Sequence, residues 1–332
     1  MNSFGRIFRI SIFGESHGES VGIVVDGCPA GLPLTVEDFL PDLERRKGGT
    51  QKGTTPRQEE DLPILKSGIF NNKTTGAPIT ILFENKNVRS GDYEKQRDVP
   101  RPGHADFVAH KKFAGFEDYR GSGHFSGRLT VALVAAGVIA KKILLDINVS
   151  SSILEIGGEK DLEKGLQKAI DAKDSIGGII ECRASGLPVG LGEPFFDSTE
   201  SQLSHMVFAI PAVRAIEFGT GFAAAKMFGS EHNDAIENME GKTRTNHAGG
   251  VVGGLTNGNE LVFRIAIKPT SSTPKEQNTL NWQTGKVENA SVKGRHDLCI
   301  ALRVPVILEA VTAIVLTDLM MLERKVPRIH AD

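Results

Sequence analysis

The sequence contains little cysteine. Its three cysteines, Cys28, Cys182 and Cys299, are odd in number and widely spaced along 332 residues. They have neither the pattern of a disulfide framework nor the close pairing of a zinc site, so no metal site is predicted. Widely spaced free thiols are typical of a reducing compartment, which favours the cytoplasm.

Aromatic residues and net charge are also scarce. The chain has one tryptophan and two tyrosines, and 39 basic residues against 41 acidic ones give a net charge of −2. This balance argues against a broad basic face for nucleic acid, so a local basic cluster is interpreted as a site for a small anion. The glycine-rich segment 246–254 lacks the G-x-G-x-x-G spacing of a dinucleotide site, and no Walker lysine motif occurs.

Long apolar runs are missing as well. Residues 1–6 alternate between polar and apolar, without the apolar core of a signal peptide. The most apolar run, 304–316, contains Glu309 and is shorter than the ~20 residues of a membrane span. We expect a soluble, cytoplasmic protein whose partner is neither a membrane nor a nucleic acid.

Hydrophobic periodicity predicts a mixture of helices and strands. Alternation predicts strands at 6–13 and 21–26, with 14–18 in the turn between them. The same criteria predict strands at 79–83, 178–183, 213–218 and 261–267, and helices at 35–47, 105–116, 126–145, 162–172, 201–209 and 305–323. Because there is no strict βαβ rhythm and no linker, we expect a single α+β domain over residues 1–332.

Two segments of the sequence resemble each other. Residues 20–26 (SVGIVVD) and 175–181 (SIGGIIE) share a pattern, and each is followed at the same distance by Gly-Leu-Pro, at 31–33 and 186–188. Strand–turn–helix units also look alike by chance, so duplication and coincidence both stay open. A duplication would relate two halves by a pseudo-two-fold axis, and only the first half would contain the 14–18 turn.

Three stretches carry ionisable side chains among glycines or beside an arginine: GESHG at 14–18, RPGHAD at 101–106 and GRHD at 294–297. Histidine suits proton transfer near neutral pH, glycine lets the backbone approach a ligand, and arginine recognises carboxylate or phosphate. Together they indicate an enzyme that transfers protons on a strongly anionic substrate. Taken singly, the first is equally a solvated hairpin turn and the second a helix cap.

Three further segments favour anion binding. KPTSS at 268–272 follows a predicted strand and is suited to cradling a phosphate, although a simple Pro/Ser turn is the commoner explanation. The loop 45–52 is basic, as helix ends often are. Arg128 opposes the dipole in the first turn of a predicted helix, and such a local misfit tends to mark a site.

With these motifs assembled, the chain closely resembles the chorismate synthase family over essentially its whole length. The matching motifs are GESHG (14–18), RRKGGT (45–50), RPGHAD (101–106), SGR-x-T (126–130), VAAG (134–137), DSIGG (174–178), GLPVGLGEP (186–194), NHAGGVVGG (246–254), KPTSS (268–272) and GRHD (294–297). The resemblance implies a homotetramer whose subunits are β-α-β sandwiches, with helices between antiparallel sheets.

The resemblance also implies a lyase of the shikimate pathway, which supplies aromatic amino acid biosynthesis. Such an enzyme would convert 5-enolpyruvylshikimate 3-phosphate to chorismate and phosphate by anti-1,4-elimination. It would require reduced FMN although no net redox change occurs. The source of the electrons stays open between NADPH and an external flavin reductase.

Catalytic roles are carried over onto matching residues. His17 would assist departure of the phosphate as a general acid, with Ser16 as a supporting hydroxyl. His104 would lie near N1 and O2 of the flavin and stabilise its negative charge. Asp297 would lie near N5 and help the flavin accept the proton lost from the substrate ring.

Binding roles are carried over in the same way. The substrate's phosphate and carboxylates would be surrounded by basic side chains, namely Arg46, Lys52, Arg101, Arg128 and Arg295; in some members the first two positions contact NADP instead. FMN would contact His124, Phe125, Ser126, Ala212, Gly253, Lys268, Pro269, Thr270, Ser271, Ser272 and Arg295.

One departure from the family pattern leaves the flavin contacts open at one loop. Many members have Arg-Ser-Ser where this chain has His124-Phe125-Ser126. Two other functions also stay open, an NADPH-dependent flavin reductase and a flavin-binding protein without catalysis. The missing dinucleotide fingerprint weighs against the first, and the intact His17, His104 and Asp297 weigh against the second.

Overall fold

Two antiparallel sheets form the frame of the structure, a computed structural model that describes residues 2–49, 52–55, 59–87, 97–292 and 296–325. The first sheet has the order β1-β2-β3-β7-β4 and the second β10-β13-β9-β8. Three two-stranded ribbons, β5-β6, β11-β12 and β14-β15, accompany them. The strands are β1 (Ser3–Phe4), β2 (Arg9–Gly14), β3 (Ser20–Asp26), β4 (Ile64–Ser67), β5 (Ile69–Phe70), β6 (Lys73–Thr74), β7 (Ile79–Glu84), β8 (Asn148–Ile156), β9 (Gly178–Ser185), β10 (Val213–Phe218), β11 (Val251–Val252), β12 (Leu255–Thr256), β13 (Leu261–Ile267), β14 (Gln277–Asn281) and β15 (Lys286–Ala290).

The helices pack against these sheets and against one another. They are α1 (Leu40–Arg46), α2 (Asp106–Phe113), α3 (Thr130–Leu144), α4 (Leu162–Ala172), α5 (Thr199–Val207), α6 (Gly229–His232) and α7 (Val304–Leu322). Helix α3 contacts β3 and β7 of the first sheet, helix α7 contacts β8 and β9 of the second, and the two helices lie against each other. The chain is therefore an α+β protein with two buried helices next to its sheets.

Helices α3 and α7 are largely apolar because most of their residues are buried, 13 of 15 in α3 and 16 of 19 in α7. Gly137 of α3 allows a close approach, since a Cβ at that position would lie 2.3 Å from the Cβ of Ala310 on α7. Segment Ile300–Leu322 is long enough to cross a membrane and contains an 18-residue stretch with a mean hydropathy of 2.0, but 78% of that stretch is buried inside the protein. The expectation that the apolar run 304–316 is too short for a membrane span was wrong, because the helix that contains it is longer. The burial of this helix identifies it as a core helix.

The partners of the buried Glu309 explain how helix α7 tolerates a charge. Its carboxylate accepts two hydrogen bonds from Arg45, at 2.7 and 2.8 Å, and one from Lys141 at 3.0 Å. It also accepts from the backbone N–H and the hydroxyl of Ser151. Buried charges are tolerated when paired and hydrogen-bonded, and this one joins α1, α3, α7 and β8.

Most of the predicted elements are confirmed, with bounds that shift by a few residues. Strands β2 and β3 pair as a hairpin with residues 15–19 in its turn, and α3, α4 and α7 lie where periodicity indicates. Strand β8 was not predicted, because its Ser-Ser-Ser centre gives little β signal although its side chains alternate in exposure. The β14-β15 hairpin was also missed; its strands are polar and mostly exposed.

The two large sheets repeat one succession of elements. Along the chain, one series of elements is followed by a second series of the same kind: first β2, β3, α1, β4, β7 and α3, then β8, β9, α5, β10, β13 and α7. The order of the strands within the sheets also corresponds, β2-β3-β7-β4 in the first and β8-β9-β13-β10 in the second. The similar segments 20–26 and 175–181 are offset, because the first coincides with β3 whereas β9 begins at Gly178. The predicted duplication therefore stays a prediction.

Candidate active site

A cavity of about 540 Å³, the central cavity, opens at the N-terminal ends of α2, α3 and α7. Its volume lies within the ~300–1,000 Å³ typical of small-molecule sites. It is lined by most of the side chains that the sequence indicated: Arg46, Arg101, His104, His124, Phe125, Ser126, Arg128, Ala212, Lys268, Pro269, Thr270, Ser271, Ser272 and Asp297. Residues up to 251 positions apart in the chain thus share one wall.

His104 is held by a network at the start of α2. Its Nδ1 lies 2.6 Å from Oδ1 of Asp106, and its Nε2 lies 3.2 Å from the hydroxyl of Ser122. Arg101 donates to both oxygens of Asp106, from Nε at 2.7 Å and from its terminal nitrogen at 2.8 Å. A carboxylate at Nδ1 favours the tautomer with the proton on that nitrogen, so Nε2 faces Ser122.

Asp106 stays ionised in this network. Burial alone would raise its pKa, but hydrogen bonds from Arg101 and His104 reverse that effect and hold the pKa of Asp106 well below its usual range. The sequence assigned Asp106 only a capping role, and the structure adds the contact with His104. Ser122, which sequence reasoning did not single out, connects His104 with Arg101 through its hydroxyl.

His17 lies directly behind the wall of the central cavity. A Cβ on Gly121, which lines the cavity, would fall 2.2 Å from Nδ1 of His17. The backbone is left-handed at Gly121, Ser122 and Gly123, with φ of 55°, 71° and 50°, and the amide of Ser16 donates to the carbonyl of Gly123. Only a residue without a side chain fits between His17 and the cavity.

Ser16 is completely buried beside His17. Among the described residues nothing hydrogen-bonds with its hydroxyl. A buried hydroxyl without a partner costs stability, which makes that of Ser16 a candidate contact for a bound molecule. Neither Ser16 nor His17 itself lines the central cavity.

Asp297 is fixed on the opposite side by a residue that sequence reasoning missed. Its carboxylate accepts from the backbone N–H of Thr55 at 2.8 Å and from Arg303 at 3.1 Å. Arg303 also donates to the carbonyl of Arg46 and lines the cavity. It precedes α7 as Arg128 precedes α3, so the criterion of an arginine opposing a helix dipole would have found both.

Arg46 and Arg128 form a buried pair whose charges meet at Asp61. Arg46 donates to Oδ2 of Asp61 at 3.0 Å, and Arg128 donates to Oδ1. The two arginine side chains are 3% and 5% exposed and that of Asp61 is 2% exposed. Burial lowers the pKa of Arg46 to about 9, and Arg303 and Arg128 act in the same direction while Asp61 opposes them.

The 268–272 loop supplies polar atoms at another part of the wall. Lys268 donates to the carbonyl of Gly103 at 2.5 Å and to the hydroxyl of Ser271 at 2.9 Å, and burial lowers its pKa. Ser272 accepts from Arg101 at 3.0 Å. The hydroxyl of Thr270 is buried without a hydrogen-bond partner in the part of the chain that the structure describes.

Besides Ser16 and His17, two described residues that the sequence indicated do not line the central cavity. Lys52 is exposed and donates to Gln167 at 3.2 Å. Gly253 lies in the turn between β11 and β12, where a Cβ would meet no atom of the described residues within 4 Å. Arg295 lies outside the described residues.

His124 and Phe125, which stand where many family members have arginine and serine, bring an imidazole and an aromatic ring to the cavity wall. His124 Nδ1 lies 2.8 Å from the carbonyl of Gly14, and its Nε2 lies 3.1 Å from the side chain of Asn2. Its imidazole therefore joins the first sheet to the cavity wall. Phe125 is 43% exposed and brings an aromatic ring to the wall.

Comparison with known proteins identifies the family of this chain. The family model described as chorismate synthase matches residues 8–321. The chain belongs to the chorismate synthase family. It is 71% identical over 330 residues to the chorismate synthase of Chitinophaga pinensis, covering 99% of both chains, and 43% identical over 359 residues to that of Dehalococcoides mccartyi, again covering 99% of both.

A solved structure agrees with the assignment. A crystal structure of chorismate synthase superposes with a TM-score of 0.73 at 25% sequence identity, covering 96% of this chain and 93% of that one. The protein is therefore a chorismate-forming lyase of the shikimate pathway, and it acts on a small-molecule substrate. The central cavity is the candidate active site of this chorismate synthase.

Proposed function

We propose that the protein eliminates phosphate from 5-enolpyruvylshikimate 3-phosphate in the central cavity, by anti-1,4-elimination and with reduced FMN bound beside the substrate. One observation supports this above all others. His104, Asp297 and four arginines line the cavity, and His17 lies behind Gly121 on the same wall. An anionic substrate and a leaving phosphate require positive charge and a proton donor at one place.

The residues present fit a flavin phosphate and its ring. The cavity of about 540 Å³ combines hydroxyls and a lysine at 268–272 with apolar surface from Phe125, Ala212 and Ile307. The buried hydroxyl of Thr270, which no described residue engages, is a natural partner for such a ligand. Lys268–Ser272, Ser126 and Ala212 would hold FMN, which when bound supplies electron density that eases cleavage of the C–O bond.

We assign the general acid to His17. Donation of its proton to the departing phosphate oxygen avoids release of an unprotonated trianion. The backbone at Gly121 separates the imidazole from the cavity without a side chain between them, and Ser16 adds a hydroxyl at the same position. This assignment predicts that His17→Ala lowers turnover by about 10²–10⁴-fold while FMN binding stays nearly unchanged.

His104 and Asp297 would act on the flavin side of the cavity. Asp106 accepts a hydrogen bond from Nδ1 of His104 and thereby orients the ring. Nε2 is then the nitrogen that responds to a ligand, through Ser122. Asp297 presents an oriented carboxylate, held by Thr55 and Arg303, where a proton leaving the substrate ring can be received. Arg46, Arg101 and Arg128 would neutralise the substrate's phosphate and carboxylates.

We further infer a single domain over residues 1–332 with the helices between the sheets and a pseudo-two-fold axis relating its halves. One hydrophobic cluster includes residues of both sheets and of α3 and α7, which supports this arrangement. The family resemblance supports a cytoplasmic homotetramer. Lys52 and Gly253 would then contact a ligand or a neighbouring subunit. NADPH or a separate reductase would keep the flavin reduced.

An anaerobic assay tests the proposal. Purified protein is mixed with the enolpyruvyl phosphate substrate and chemically reduced FMN, and phosphate and chorismate are measured. Formation of both products without NADPH is expected. Oxidation of NADPH alone would instead identify a flavin reductase, and flavin binding without turnover would identify a protein that has lost catalysis.

A further inference from the structure

The arginine pair at the central cavity already holds an anion that belongs to the protein. Asp61 accepts from Arg46 with one carboxylate oxygen and from Arg128 with the other. A phosphate or carboxylate ligand bridging two arginines would use the same geometry. Sequence reasoning did not single out Asp61, and nothing in the arginine assignments accounts for it.

The other nitrogens of both guanidinium groups also have acceptors. Arg46 donates to the hydroxyl of Thr130 at 3.0 Å and to the carbonyls of Gly127 and Arg128 at 3.1 and 3.2 Å. Arg128 donates to the side chain of Asn85 at 3.0 Å and to the carbonyl of Glu84 at 3.2 Å. Every guanidinium nitrogen of the pair therefore has an acceptor among the described residues, and a ligand that bridges Nη1 of Arg46 and Nη1 of Arg128 must take the place of Asp61.

Asp61 is the acceptor that can exchange. The other acceptors lie at the start of α3 or at the end of β7, where regular structure fixes them. Asp61 lies in an irregular segment before β4, and its backbone is left-handed with φ of 52°. Aspartate adopts the left-handed region more readily than most residues, so neither regular structure nor a demand for glycine fixes this segment.

We propose that Asp61 is an internal counter-anion that occupies the Arg46–Arg128 pair and gives way to an anionic group of the substrate. Its single negative charge offsets one of the two positive charges of the buried pair in the free enzyme, where the two guanidinium groups alone would repel each other. The incoming phosphate or carboxylate takes over the bridge, and Asp61 leaves it. The exchange reduces the apparent affinity for anions and favours ligands with enough charge to displace a carboxylate. This inference rests on the proposed function only in that the substrate is the natural ligand.

Binding of inorganic phosphate tests the exchange without any turnover. The wild type, Asp61→Asn and the control Asp26→Asn are titrated with phosphate at constant ionic strength, and dissociation constants are taken from the shift of the denaturant midpoint. Asp26 is a suitable control because it loses one ion pair, with Arg9, on the surface. We expect Asp61→Asn to bind phosphate at least tenfold more tightly than the wild type, and the control to bind like the wild type. Adding Arg128→Gln to Asp61→Asn should abolish the gain.

Equal or weaker phosphate binding by Asp61→Asn would overturn the proposal and leave Asp61 as a residue that only positions the arginines. If the variant does not fold, amide hydrogen exchange of residues 59–67 in the wild type decides the question. Saturating phosphate should speed exchange there because Asp61 is released, and unchanged or slower exchange would contradict it. Failure of chorismate formation in the anaerobic assay would overturn the proposed function and leave this result unaffected.

Discussion

Gly121 offers the sharpest test of the assignment of His17. A Cβ at this position would lie 2.2 Å from Nδ1 and 2.3 Å from Cε1 of His17, whereas ordinary contacts begin near 3.4 Å. The imidazole must therefore move by roughly 1 Å to accommodate Gly121→Ala, and a misplacement of about 1 Å in a catalytic group can lower the rate about 10²-fold. That loss corresponds to about 2.7 kcal/mol of transition-state stabilisation.

The change also costs stability, and a second glycine separates this cost from the contact with His17. Alanine at a left-handed position is disfavoured by about 1–2 kcal/mol, partly offset because alanine restricts the unfolded chain. Gly158 has a φ of 79°, and no atom of the described residues lies within 4 Å of its Cβ, so Gly158→Ala carries the backbone cost alone. Gly121→Ala should lose more free energy of unfolding than Gly158→Ala in a denaturant titration, because it adds the clash with the buried His17 to the backbone cost.

Turnover distinguishes the two variants. With chemically reduced FMN under anaerobic conditions, Gly121→Ala should form chorismate about 10²-fold more slowly than Gly158→Ala, which should match the wild type. FMN affinity should be similar in all three proteins. Rates for the two variants within about twofold of each other would refute the reasoning, because His17 would then not act across Gly121.

Three further changes have outcomes that the structure dictates. Asp106→Asn leaves the buried Arg101 without its carboxylate and should cost about 3 kcal/mol of folding stability at pH 7. Because the folded pKa of Asp106 is lowered, the stability that its carboxylate contributes is present above pH ~4 and is lost as the pH falls through the folded pKa. Denaturant titrations of the variant and the wild type should therefore converge in strong acid. A constant difference down to pH 2 would contradict this. Thr270→Val removes a buried hydroxyl without a described partner and should keep or raise the stability of the flavin-free protein while weakening FMN binding about tenfold, as followed by flavin fluorescence; unchanged affinity would exclude a contact there. Burial raises the pKa of Cys182 to about 12, and all three cysteines are buried, so a thiol reagent should label the protein only after unfolding, and rapid labelling of the native state would be inconsistent with this core.

The candidate site was more predictable in composition than in contacts. The motifs around His17, His104 and Asp297 indicate proton transfer because glycine, histidine and arginine occur together within a few residues of each other. No local pattern indicates Asp61 or Ser122, since Asp61 matters through Arg46 and Arg128, 15 and 67 residues away, and Ser122 through His104, 18 residues away. Arg303 differs, because its place before a long apolar helix gives the same signal as that of Arg128.

The sequence by itself determined the periodic elements and the chemical character of the glycine-containing turns, because hydrophobic periodicity and local residue chemistry act over a few residues. It also carried the family assignment through motifs spread over the whole chain. The tertiary structure alone decided which charges meet: that Asp61 joins two arginines, that His17 lies behind Gly121, and that the apolar helix α7 is buried in the protein core. Such contacts depend on how elements pack across hundreds of residues, and packing is set by the complete set of buried surfaces rather than by any one segment.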